Sequence, residues 1–151
     1  MHKPPSNSTF NPLQHLGFLT NRIARLIIQN IEPQMEELGY HFPSSCIGVM
    51  ADLWSTDGIS QKELGISLIK TKSSINKMVA ALEENGMIEK KIDPKDARGR
   101  LIFLTQKGRD MQQVIVNKSL EMEKVWLSNM KKEDIEITKK VLAEMYKSLQ
   151  A

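Results

Sequence analysis

The sequence has a single cysteine, few aromatic residues and no long hydrophobic run. With only Cys46 among 151 residues, a disulfide framework within the chain is excluded. No apolar stretch approaches the roughly 18 residues of a transmembrane helix, and the first dozen residues lack the apolar core of a signal peptide. These absences favour a cytoplasmic protein with no membrane partner.

Motifs that carry catalysis or hold cofactors are also missing. The sequence contains no Gly-x-Ser-x-Gly elbow, no phosphate-binding P-loop and no dinucleotide-binding glycine fingerprint. Its three histidines are too scattered for a recognisable metal motif. We therefore expect no catalytic residues, no cofactor and no metal site, and an enzyme is not favoured.

The chain is large enough for one domain with a substantial core. It is 40% apolar and 26% charged, which is typical of soluble globular proteins. The net charge of +3 is weak support for nucleic-acid binding, but the charge is unevenly spread. Residues 62–109 carry 11 Lys or Arg and 6 Asp or Glu, whereas the remainder carries 10 and 12. The basic excess thus lies in one segment, as expected for a DNA-contacting surface.

Residues 71–85 have the pattern of an amphipathic helix, with apolar residues spaced to bury one face. Thr71 is a suitable N-cap and Gly86 a suitable stop. The other face of the first turns carries cations and small hydrogen-bonding groups. These candidate DNA-contacting residues are Lys72, Ser73, Ser74, Asn76 and Lys77. Such a face can reach phosphates and base edges, and the Asn76 amide can pair bidentately with adenine.

Two short β-prone runs follow this helix, at residues 88–92 and 101–104, and flank a polar tip at residues 93–100. The residues of the tip that we expect to contact DNA are Lys95, Asp96, Arg98 and Arg100. Asp96 lies close enough in sequence to accept from the Arg98 guanidinium and fix its direction. An arginine held in this way on a narrow hairpin suits insertion into a minor groove.

A short helix is predicted before these elements, at residues 61–68. Ser60 and Glu63 have the spacing of a capping box at its start, and Ile59 is a candidate third strand beside the hairpin. The residues expected to contact the DNA backbone here are Ser60, Gln61 and Lys62. Together with residues 71–85, this segment has the pattern of a helix-turn-helix.

The order of these elements, the D-P-K-D-A-R tip at residues 93–98 and the L-T-Q-K-G run at residues 104–108 resemble the MarR family of bacterial winged helix-turn-helix regulators. The resemblance covers nearly the whole chain and is strongest over residues 60–108. It implies a mostly α winged helix-turn-helix fold with N- and C-terminal dimerisation helices and a small β wing. It also implies double-stranded DNA as partner and a homodimer in which the first and last helices interleave.

We accordingly predict one intertwined domain with three regions. Residues 1–12 would form a flexible arm, residues 13–40 and 109–151 a helical dimerisation region, and residues 41–108 the winged helix-turn-helix. The terminal helices have broad apolar stripes without an obvious partner in a small winged domain, so a second copy is expected to cover them. Pro33 is expected to kink the first helix or to end it near Glu32.

The resemblance further implies a ligand pocket where the first two helices meet the helix after the wing. By position, the candidate lining residues are His15, Arg22 and Trp54. The arginine or the histidine could hold the carboxylate of a small anionic aromatic effector, and Trp54 could provide a flat apolar wall. The alternative for each is an ordinary packed or surface residue.

Cys46 has two interpretations, a redox sensor or a small buried residue early in a helix. One branch of the family senses organic hydroperoxides with a cysteine near the start of the first helix. That position falls near Gly17 here, so the buried interpretation is favoured.

The predicted function is that of a sequence-specific DNA-binding transcriptional regulator. More narrowly, we predict a ligand-responsive repressor that binds pseudo-palindromic operators as a homodimer. Two alternatives remain open: an effector-independent architectural DNA binder, and a winged-helix module for protein interaction that does not bind DNA. The basic segment favours DNA binding over the second alternative.

Overall fold

The computed structural model of the protein describes residues 10–150, which form helices and a small three-stranded sheet. The elements are α1 (Leu16–Glu37), α2 (Cys46–Ser55), β1 (Ile59–Ser60), α3 (Gln61–Ser67), α4 (Lys72–Glu84), β2 (Ile88–Asp93), β3 (Asp96–Leu104), α5 (Gln106–Trp126) and α6 (Lys132–Gln150). The predicted mostly helical winged fold is confirmed. Most of the predicted arm at residues 1–12 lies outside the described residues, and none of the described helices is long and apolar enough to cross a membrane.

The chain divides into two compact units after Gly108. In the first unit, α2, α3, α4 and the sheet share a core of fully buried side chains. Its members include Val49, Met50, Leu53, Leu64, Ile75, Val79, Leu82, Met87 and Ile102. Each buried aliphatic side chain of this size stabilises the fold by roughly 1.5–3 kcal/mol, so this core fixes how α3 and α4 are held against each other.

The sheet is antiparallel in the order β1-β3-β2. Ile59 pairs with Ile102, which confirms the predicted third strand, and Ile88 pairs with Leu104. The hairpin is longer than predicted, because β2 reaches Asp93 and β3 already begins at Asp96. Only Pro94 and Lys95 connect the strands, and the two arginines predicted in the tip, Arg98 and Arg100, lie along β3.

Local hydrogen bonds define the ends of α3 and α4. The Thr71 hydroxyl accepts from the Ser74 amide at 3.2 Å at the start of α4, and Gly86 beyond its end has φ +70°, the left-handed conformation that favours glycine. A complete capping box of Ser60 and Glu63 begins α3. These predicted signals are all confirmed.

Pro33 does not end the first helix, because α1 continues to Glu37. The expected end near Glu32 was therefore wrong. Pro33 has no amide to donate to the helix, so one backbone hydrogen bond is missing there. Met35, two residues later, is the buried residue of α1, and its burial favours continuation of the helix past Pro33. Tertiary packing here overrides a local helix-breaking signal.

Ile69, in the turn between α3 and α4, has φ +52° and is 91% exposed. This conformation is rare for a β-branched residue and costs roughly 1–3 kcal/mol when the surrounding structure enforces it. The turn is closed by the Lys70 amide, which donates to the Gly65 carbonyl at 3.0 Å. The two helices are thus joined by a strained residue whose side chain contributes little packing.

Candidate nucleic-acid interface

The first turns of α4 carry an exposed polar face. Lys72, Ser73, Asn76 and Lys77 are exposed, and Ser74 is half-buried at its edge. The opposite face is anchored in the core through Ile75 and Val79. The amphipathic pattern therefore holds the predicted contact residues outward on a rigid helix.

Salt bridges divide the cations of the first unit into paired and unpaired groups. Lys90 contacts Glu83 at 2.9 Å and Lys91 contacts Glu89 at 2.9 Å, so these positive charges are compensated. Across residues 10–150, the cations of the predicted interface have no such ion pair; they are Lys62, Lys72, Lys77, Lys95, Arg98 and Arg100. Uncompensated charge is thus present on the helix-turn-helix and wing, where an anionic partner would be attracted.

The carboxylates at the wing tip bind backbone amides. Asp93 Oδ1 accepts from the Lys95 amide at 2.8 Å, and Asp96 Oδ1 accepts from the Arg98 amide at 3.0 Å. Asp96 was expected to bind the Arg98 guanidinium, and this detail was wrong, because the tight hairpin turns the carboxylate toward the backbone. Asp96 therefore orients the strand that carries Arg98, whose guanidinium has no hydrogen-bond partner within the described chain.

Arg100 differs from Arg98 in the direction of its side chain. Its Nη1 donates to the carbonyl of Gly99 at 2.9 Å and to that of Ala97 at 3.3 Å. The guanidinium is folded onto the backbone of the wing, although Arg100 remains exposed. Of the two arginines, Arg98 is the one whose donors are all available to a ligand.

The start of α3 combines an internal cap with an exposed cation. Ser60 Oγ lies 2.7 Å from Glu63 Oε2 and accepts from the Glu63 amide at 3.2 Å. The Ser60 amide donates to the same Glu63 oxygen at 2.8 Å. The hydrogen bonds from the Ser60 amide and hydroxyl lower the pKa of the Glu63 carboxyl. The Ser60 hydroxyl is therefore engaged within the helix, whereas Lys62 beside it is exposed.

One contact links the two predicted helices of the site. Gln61 Nε2 donates to Asn76 Oδ1 at 2.9 Å. The two residues are 15 positions apart, and no sequence signal pairs them. The structure thus joins Gln61, which was predicted to contact the DNA backbone, to Asn76, which was predicted to contact a base.

Comparisons with known proteins agree with this geometry. A model of the MarR family matches residues 47–99. YwoH of Bacillus subtilis, an uncharacterized HTH-type transcriptional regulator, is 29% identical over 123 residues, covering 82% of this chain and 88% of the relative. Residues 47–99, within the winged-helix segment, are thus similar to the MarR family. The resemblance recognised in the sequence is confirmed, and with it the general class of transcription regulator.

Solved MarR-family structures share the fold over most of the chain. The crystal structure of MarR matches with a TM-score of 0.81 and 20% identity, covering 89% of this chain and 97% of that chain. MepR of Staphylococcus aureus, solved as a complex with DNA, matches with a TM-score of 0.72 and 22% identity, covering 93% and 99%. At these identities the likeness concerns the fold.

The L-T-Q-K-G run at residues 104–108 has a structural explanation. The Thr105 hydroxyl donates to the Gly86 carbonyl at 2.6 Å and accepts from the Gly108 amide at 3.1 Å. A Cβ on Gly108 would overlap the Met87 carbonyl oxygen. The run therefore fastens the beginning of α5 to the end of α4 and the start of the wing.

The three candidate ligand-pocket residues have separate surroundings. The His15 ring stacks on Phe10 with ring centroids 4.7 Å apart. The indole N–H of Trp54 donates to the Gly108 carbonyl at 3.0 Å, and Arg22 is exposed on α1. No hydrogen bond or ring contact joins any two of them within residues 10–150.

Cys46 is fully buried at the start of α2, and its Sγ lies 3.8 Å from the Met78 carbonyl oxygen. Burial raises the pKa of the thiol to about 11, against a smaller lowering effect of the hydrogen bond with Ser45. At neutral pH the thiol is protonated and weakly nucleophilic. This favours the packed interpretation over a redox sensor.

We expect the free energy of unfolding to fall as the pH rises from about 9 to about 11, in part because of Cys46. Below pH 9 the thiol is protonated in both states. Above it the unfolded chain, with its ordinary pKa of 9.0, releases the proton before the folded protein does, which favours unfolding. Urea unfolding at pH 8 and pH 10.5 should show a steeper loss for the natural protein than for Cys46→Ala. Equal losses would contradict the buried, protonated thiol.

Proposed function

We propose that the protein is a homodimeric repressor that binds pseudo-palindromic operator DNA and releases it on binding a small ligand. Each subunit lays α4 in a major groove and the Arg98 side of the wing in the flanking minor groove. Half-sites are then about one helical turn apart, roughly 34 Å. The observation that carries the proposal is the set of uncompensated cations on α4 and the wing.

Some of the proposed contacts position the protein on the DNA, and others specify the base sequence. Lys62, Lys77 and Lys95 are exposed cations that bind phosphates and supply affinity that weakens with salt. Asn76 faces base edges from the middle of the exposed face of α4. Arg98, with its donors available, enters the minor groove, where the potential is most negative.

The homodimer is supported by apolar surface on the terminal helices. In the single chain, α1 buries only Met35 and α6 has no buried residue. Both nevertheless expose large apolar side chains, which include Leu16, Phe18, Ile23, Leu26, Ile137, Val141, Leu142 and Tyr146. Exposed apolar stripes of this length mark an interaction surface. A second copy of the chain provides the same apolar stripes and can cover them.

The effector we propose is a small anionic aromatic molecule, held by Arg22 or His15. It releases DNA only if it binds the state that cannot reach both half-sites more tightly than the DNA-bound state. A panel of aromatic carboxylic acids added to the preformed operator complex tests this part. If none of these acids released the DNA, the proposed function would be reduced to an effector-independent regulator.

We expect Arg98→Ala to weaken operator binding by about tenfold or more, because the variant loses a minor-groove cation with fully available donors. The measurement is fluorescence anisotropy with DNA from the upstream region of the protein's own gene, at several salt concentrations. Lys140→Ala, which removes an exposed cation from α6, is the charge-matched control and should change affinity less than twofold.

The same titrations distinguish the alternatives. Equal and weak binding to operator and scrambled DNA would favour the architectural binder. No binding even at low salt would favour the protein-interaction module. An Arg98→Ala variant that binds as the natural protein does would remove the wing from the interface.

A further inference from the structure

The hydrogen bond between the side-chain amides of Gln61 and Asn76, which we call the amide pair, has a consequence for the base that the protein selects. Gln61 is the first residue of α3 and is half-buried, whereas Asn76 is exposed on α4. Because Gln61 Nε2 donates to Asn76 Oδ1 at 2.9 Å, the oxygen of the Asn76 amide is directed toward α3. The NH₂ group of the same planar amide has no hydrogen-bond partner within residues 10–150.

This orientation conflicts with bidentate recognition of adenine. Adenine offers a donor at N6 and an acceptor at N7, so an asparagine must present both its oxygen and its NH₂ group to the base. With its oxygen already accepting from Gln61, Asn76 has its NH₂ donors free for a base. The matching major-groove edge is that of guanine, which offers acceptors at both N7 and O6 and no donor there.

We propose that Gln61 is a positioning residue that fixes the Asn76 amide as a donor, so that the recognition helix selects guanine over adenine at one position of each half-site. This inference rests on the proposed function and specifies the base preference of its site. It replaces the adenine pairing expected for Asn76 from the sequence.

The amide pair is free to act in specificity because other residues hold the two helices together. Leu64 of α3 and Ile75 and Val79 of α4 are fully buried in the shared core. The pair itself lies on the surface. Substitutions of Gln61 are therefore expected to leave the fold intact.

The proposal predicts a change of base preference when the donor is replaced by an acceptor. In Gln61→Glu, the carboxylate accepts from Asn76 Nδ2, and the amide turns so that its oxygen faces the DNA. That oxygen accepts from adenine N6, so the ratio of affinities for guanine and adenine sites should fall by about tenfold or more. Gln61→Ala, which leaves the amide free to turn, should give an intermediate ratio.

The experiment is selection of random DNA duplexes by the full-length protein and its variants, followed by sequencing. Anisotropy on selected sites that differ only in guanine or adenine at the assigned position then gives the ratio. The ratio is the readout because a glutamate near phosphates weakens binding to every sequence. Asn76→Ala locates the position, and Lys62→Ala, on the same helix, should weaken binding without changing the ratio.

The outcomes separate the inference about Gln61 from the proposed function on which it rests. Lack of sequence preference in the natural protein would contradict the proposed function, and this inference with it, before any variant is compared. Selective binding with adenine preferred at the Asn76-dependent position would overturn the inference alone. It would also be overturned if Asn76→Ala left the selected motif unchanged, or if both Gln61 variants kept the natural ratio within twofold.

Discussion

Gly108→Ala is expected to lower the free energy of unfolding by about 3 kcal/mol, with a fall in Tm of roughly 10 °C. The new Cβ would overlap the Met87 carbonyl oxygen. That oxygen is a backbone atom that already accepts from the Thr105 amide at 3.0 Å, so it cannot move aside as a flexible side chain would. Urea or thermal unfolding at a fixed protein concentration measures the loss.

Gly17→Ala provides the matched control for this substitution. Gly17 lies in α1, and a Cβ there meets no atom within 4 Å. The same chemical change should stabilise the helix by about 0.5–1 kcal/mol, because alanine has the higher helix propensity. If the two variants differed in stability by less than 1 kcal/mol, the close approach at Gly108 would not be the reason for glycine.

Ile23→Glu is expected to convert the proposed dimer to a monomer and to weaken operator binding by about 100-fold or more. Ile23 lies in the apolar stripe of α1 and is 46% exposed in the single chain. A carboxylate at this position would be buried without a partner in a dimer interface. A monomer contacts one half-site and loses the gain in affinity from simultaneous binding of two.

Light scattering after gel filtration measures the oligomeric state of this variant, and anisotropy measures its DNA affinity. Circular dichroism at the same concentration shows whether the helices persist. Gln29→Glu adds the same charge at an exposed polar position of α1 and should remain dimeric. A dimeric Ile23→Glu variant with natural affinity would remove α1 from the proposed interface.

The sequence predicted those parts of the fold that depend on local signals. The periodicity and caps of residues 71–85 predicted α4 to within a residue at each end, because Thr71 and Gly86 act on their own neighbours. Of the two outcomes predicted for Pro33, the end near Glu32 was wrong, and burial of Met35 favours continuation of the helix. The predicted strands of the wing were too short. The Asp93 and Asp96 carboxylates accept from backbone amides at the turn, which allows the strands to extend almost to its tip.

The candidate site was predictable as a surface but not as a set of contacts. Exposure of Lys72, Asn76 and Lys77 follows from the helical period. The bond between Gln61 and Asn76 joins residues that only the tertiary fold brings together. Ile69 adopts a conformation that its own side chain disfavours, so no local rule could have predicted it.

The hydrogen bond between Trp54 and Gly108 also makes the protein its own optical reporter. The chain has two tryptophans, and the emission of an indole depends on the polarity and hydrogen bonding around its N–H. Trp54 donates to the carbonyl of the residue that fastens α5 to the wing. In a Trp126→Phe background, a single native fluorophore would therefore follow that junction, without a label, during binding of DNA or of a small molecule.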